Sequence, residues 1–117
     1  MAYAFIEKYN AYSCKSFWIK PKKGFTGNHI IVVGDGWIFD YHGYSNPEKY
    51  MNHTWKKAGM WWSGWDASLV EIRPAALISE AESLTYEGLH LREPTQFLHN
   101  AMPRAQAYLE RFPPPLR

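Results

Sequence analysis

A single cysteine, Cys14, is all that this chain of 117 residues carries. No disulfide can close within the chain, and no cysteine-based zinc site can be built. Long apolar runs are missing too. The longest, residues 30–33, is far short of a membrane span. The first twelve residues are interrupted by Glu7 and Lys8, unlike the apolar core of a secretory leader. Together these features predict a cytoplasmic protein that neither enters a membrane nor carries a leader. Lysine is absent beyond Lys57. Residues 1–60 hold all eight lysines and four acids (8 − 4 = +4), and residues 61–117 hold five arginines and seven acids (5 − 7 = −2), which gives the net charge of +2. That charge is too small to argue for nucleic acid by itself. Its bipolar distribution suits a mixed-charge partner or self-association.

What the chain has in plenty is rings. Aromatic residues make up 17% of it and hydrophobic residues 46%, enough for a core in one domain spanning residues 1–117. Either the rings fill a small core, or some of them form a binding surface, where Trp and Tyr give much contact area at little entropic cost.

The clearest local unit is HIIVVGDGWIFDYHG. Two β-rich runs, 29–33 and 37–41, flank Gly34, Asp35 and Gly36, and predict a hairpin with pairs summing to about 70. Partial alternation through Phe17 and Ile19 predicts a strand ending at Pro21, and SLVEIR at 68–73 another. Residues 2–11 read as a short helix. Asn46, Pro47 and Glu48 form a helix start, and Met51, Trp55, Ala58 and Trp62 follow on one apolar face. Pro94 opens a last helical pattern running to Phe112, in which Pro103 predicts a kink or a division into two helices. The expected fold is α+β. A small antiparallel sheet of about four strands, with a hairpin at 29–41, is packed on one face by helices at 46–60 and 94–112.

With the hairpin turn centred on Asp35, His29 lies opposite Tyr41, beside Asp40 and His42. A carboxylate there would orient and charge-stabilise an imidazole, as a general base requires. The order Cys14, His29, Asp40 and the segment GNHIIVVGDGWIFD resemble the papain-like and transglutaminase-like cysteine hydrolases and acyltransferases. In that family the triad runs cysteine, histidine opening a strand, then Asp or Asn on the next strand. The resemblance spans residues 14–41 and implies a catalytic set of Cys14, His29 and Asp40. It departs from the family where the cysteine opens a core helix much farther upstream. Cys14 falls instead near a helix end or a strand start, with only Lys15 at hand to lower its thiol pKa.

Three further readings stand beside it. His29, Asp40, His42 and His53 include metal-binding types, but no pair has the i, i+4 spacing, so no metal and no cofactor are expected. Lys15, Lys20, Lys22 and Lys23 interleave with Phe17, Trp18 and Phe25, the pattern of a single-stranded nucleic-acid binder. Trp61, Trp62 and Trp65 beside Lys56 and Lys57, with Trp18 and Lys20, suit recognition of a protein partner. This last reading is favoured: a small binding or inhibitory protein, in character an accessory of a mobile element acting on a host or defence complex, with Cys–His–Asp hydrolysis as the alternative.

Overall fold

A computed structural model describes residues 2–9, 12–25, 27, 29–40, 42–89 and 102–115. In chain order they form α1 (Ala2–Lys8), β1 (Lys15–Pro21), β2 (Ile30–Gly34), β3 (Trp37–Asp40), β4 (Gly43–Ser45), α2 (Pro47–Trp61) and β5 (Ala67–Ile72). A 3-10 turn at Pro74–Leu77, α3 (Glu80–Ser83) and α4 (Met102–Leu109) follow. The five strands make one sheet in the order β4-β3-β2-β1-β5, with every neighbouring pair antiparallel. The α+β class is as expected. The added strand is β4, three residues long and paired through Ile38 with Ser45 and Phe39 with Tyr44.

The hairpin forms with a shorter turn than the sequence suggests. Gly34 is the last residue of β2 and pairs with Trp37, leaving only Asp35 and Gly36 in the turn. Gly36 takes φ +80, in the left-handed region that costs a residue with a Cβ. The pairs Val32–Phe39 and Val33–Ile38 sum to 71 rather than 70. A slip of one residue moves every side chain of a strand to the other face. Continued one step past Val32–Phe39, this register sets Ile31 opposite Asp40, so Asp40 shares a face with Ile31, Val33 and the preceding His29.

Helices cover both faces of the sheet. On one face Val32, Trp37 and Phe39 meet Ala4 and Phe5 of α1, Tyr9 and Leu109 of α4. Phe5 is fully buried and stacks on Phe39 at a ring separation of 4.5 Å, burial worth about 1.5–3 kcal/mol. On the same side Trp18 and Ile72 pack with Ala76, Leu77 and Leu89. On the other face Ile19, Ile31 and Ile38 meet Tyr50, Met51 and Trp55 of α2. The two helical regions expected on one face therefore lie on opposite faces. The cause is the alternation within β3, where Ile38 points to α2 while Trp37 and Phe39 point to α1 and α4.

Helix α2 begins as its sequence dictates. Asn46 Oδ1 accepts a hydrogen bond from the Lys49 backbone N–H at 3.1 Å, and Pro47 occupies the first turn. The helix passes Gly59 and ends at Trp61. In the last helical segment Pro103 stands in the first turn of α4, where its missing N–H costs nothing. The part of that segment from Pro94 to Ala101 lies outside the described residues. No helix among the described residues is long and apolar enough to cross a membrane.

Candidate functional site

Asp40 ends β3 with its side chain 3% exposed, yet it is charged and fully engaged. Its Oδ1 accepts the His42 backbone N–H at 2.8 Å, and its Oδ2 accepts the Tyr50 hydroxyl at 2.8 Å. The Nε2 of His29 lies 3.5 Å from Oδ2, and the Nδ1 of His42 lies 3.5 Å from Oδ1. Burial pushes the Asp40 carboxyl up. The hydrogen bonds from His29, the His42 backbone and Tyr50, with the charge of His42, together outweigh it and hold the carboxyl well below the usual carboxylate range.

Tyr50 ties the site together. It stands in the first turn of α2, which the Asn46 cap starts just beyond β4. Its hydroxyl also meets the Nε2 of His29, and the two rings lie end to end with their planes within 9° of parallel and centroids 6.3 Å apart. The hydroxyl has one proton, which it donates to Asp40. Nε2 of neutral His29 is therefore the donor toward Tyr50, and its Nδ1 carries the lone pair. Nothing in the residue types around His29 and Asp40 pointed to Tyr50. The sign available in the sequence was the row Tyr50, Thr54, Lys57, Ala58 and Trp61, which lies on one side of a helix.

That row forms one wall of a cleft of about 680 Å³, floored by His29, Asp40 and Tyr50. His53, Lys57, Trp61 and Trp62 rise beside it. Trp61 and Trp62 are 74% and 55% exposed, and the neighbouring Met60 is 78% exposed. Lys56 is exposed as well, but only Lys57 lines the cleft.

Trp65, Trp18 and Lys20 do not join this surface. Trp65 turns inward, packs edge-to-face on Trp55 at 5.3 Å and belongs to the core beneath α2. Trp18 is 2% exposed, lies on the opposite side of the sheet, and donates its indole N–H to the Gly27 carbonyl at 2.9 Å. Lys20 sits over the Trp18 ring at 5.5 Å. The interleaved pattern survives only in part: Lys22 likewise sits over the Phe25 ring at 5.9 Å, but the two rings of β1 face opposite ways. Phe17 packs toward α2, Trp18 packs away from it, and Lys15 pairs with Glu71 at 3.4 Å.

Cys14 is not brought to His29 and Asp40. It precedes β1 at the end where Lys15 pairs with Val33, whereas the His29 carbonyl bonds Ile19 at the far end of the same strand. Five residues of extended chain separate those two levels, about 17 Å at ~3.3 Å per residue. Cys14 also packs on the opposite face, against the cluster of Phe5, Tyr9 and Phe39, with Sγ 3.9 Å from the Tyr9 carbonyl. Burial raises its thiol pKa, against a weaker opposing backbone hydrogen bond. Among the described residues no three His, Cys, Asp or Glu side chains gather closely enough to hold a metal ion.

Comparison with protein-family models, with curated proteins and with solved structures finds no match to this chain. The α+β fold and the local geometry therefore carry the functional argument alone.

Proposed function

We propose that the protein is a binding protein, inhibitory in character, that docks a protein partner on the C-terminal end of α2. The observation that carries this reading is the run Met60, Trp61 and Trp62, mostly exposed and flanked by Lys56 and Lys57. Large rings held in water beside cations are the chemistry of interface anchors, because they lose little entropy on docking and gain much buried area. A lone free thiol suits action in the reducing cytoplasm.

The test is capture of partners from native host cells by the wild type and by the double variant Trp61→Ala, Trp62→Ala, with the captured protein then titrated against both. The reading expects at least a tenfold loss of affinity, about 1.4 kcal/mol, with an unchanged urea midpoint. Equal affinity of both proteins sinks it, and a large drop in midpoint reassigns the two rings to the fold.

Enzymatic action is the second reading, and the His29–Tyr50–Asp40 array favours it, since it holds an imidazole beside an ionised carboxylate. The nucleophile named by the family resemblance does not support it, because Cys14 and His29 are on opposite faces of the sheet. Single-stranded nucleic-acid binding has less support still, with Phe17 and Trp18 packed into separate clusters.

A further inference from the structure

The cleft beside α2 has an uneven complement of charge. Its single carboxylate, Asp40, is buried and already accepts two hydrogen bonds while lying beside two imidazoles. The other ionisable groups along the cleft, the Tyr50 hydroxyl aside, are cationic or become so on protonation: Lys57, His29, His42 and His53. No ion pair among the described residues involves Lys57. A cation entering this cleft would find its carboxylate occupied, whereas an anion would find an ammonium group that no carboxylate among the described residues pairs with.

Of the rest of the lining, Ser45 and Thr54 bring hydroxyl groups, and Ala58, Trp61 and Trp62 are apolar. Trp61 and Trp62 supply two indoles, and Ala58 leaves room between that wall and the floor. The volume, about 680 Å³, is in the range of ordinary small-molecule sites. A ring lying against an indole gains stacking and buried area together.

We propose that this cleft binds a small organic anion bearing a flat aromatic ring, the ring against Trp61 and Trp62 and the anionic group turned to Lys57 and His53. Nucleoside monophosphates and aromatic carboxylates share that chemistry. The site shares Trp61, Trp62 and Lys57 with the proposed docking surface, but a small ligand can occupy it with no partner present.

Isothermal titration of the full chain at low salt tests it with adenosine monophosphate and 1-naphthoate as ring-bearing anions. Adenosine and 1-naphthalenemethanol serve as their neutral counterparts, and inorganic phosphate and acetate as anions without a ring. The expected result is saturable binding of at least one ring-bearing anion. Its neutral and ringless counterparts should bind about tenfold more weakly or worse. The nucleotide and naphthoate arms tell a phosphate ligand from a carboxylate one. Lys57→Gln, at an exposed position where folding is not at risk, should weaken the anion about tenfold and leave the neutral compound unaffected. The proposal is overturned if neither anion saturates, if neutral compounds bind as tightly, or if Lys57→Gln changes nothing. A Lys57→Gln variant that loses ligand binding while partner capture persists supports this site independently of the docking reading, and loss of capture with ligand binding intact overturns it.

Discussion

The Tyr50 hydroxyl donates to Asp40 across 2.8 Å and so fastens the first turn of α2 to the last residue of β3. α2 has no fully buried residue of its own, and this bond is among the few polar ties between the helix and the sheet.

Tyr50→Phe keeps the ring and removes the tie. Asp40 Oδ2 then loses a donor while remaining buried, and the cost should be about 1–3 kcal/mol. Urea unfolding measures it. The Asp40 carboxyl should also titrate higher in the variant, which carbon NMR of the side chain reads directly. A variant as stable as the wild type would show that the hydroxyl contributes nothing net.

Asp40 should also shape stability in acid. Its folded pKa lies below the unfolded value of about 3.9, so its ionised form favours folding above that value and the contribution is lost as pH falls through the folded pKa. Wild type should therefore be more stable than Asp40→Asn above about pH 5, and the gap should begin to narrow near pH ~4 and close as pH falls through the folded pKa. A gap that widens in acid contradicts this.

Cys14 should be a slow nucleophile. Its raised pKa and partial burial leave little thiolate near neutrality. Iodoacetamide should modify it more slowly than free cysteine at the same pH, and urea should abolish the difference. Rapid modification of the folded protein would restore the thiol as a candidate reactive group.

Gly34→Ala tests the tight end of the hairpin. A Cβ there would fall 2.0 Å from Cζ2 of Trp37, whose indole packs on Phe5 across 5.6 Å. Overpacking of this kind costs about 1–3 kcal/mol or more. Trp37→Leu should relieve much of it, so the double variant should lose less than the sum of the single losses. Additive losses would mean that the two positions do not meet.

Much of the fold is legible in local chemistry. Gly36 marks the hairpin, Asn46 and Pro47 start α2, and the alternation of SLVEIR makes β5. These signals act within a few residues. What escaped them depends on distant partners. The register of β2 with β3 hangs on whether Gly34 joins the strand or the turn, and composition does not decide that. β4 is too short for a periodic pattern and exists because β3 offers it backbone partners. His29 and Asp40 were visible as a candidate pair, but Tyr50 became part of the site only when α2 folded across the end of β3. The Trp cluster looked uniform in sequence and divides in space. Trp65 has Trp55 to pack on, while the chain turns before Trp61 and Trp62 can reach the sheet.

The sheet order leaves its two margins unequal. At one margin β4 offers three residues of backbone, too few to template much of a neighbouring chain. At the other, β5 runs for six residues with Leu69 open to water, and no strand among the described residues lies beyond it. Any aggregate that grows by strand addition should start there, and a lysine in place of Leu69 would be the natural way to discourage it.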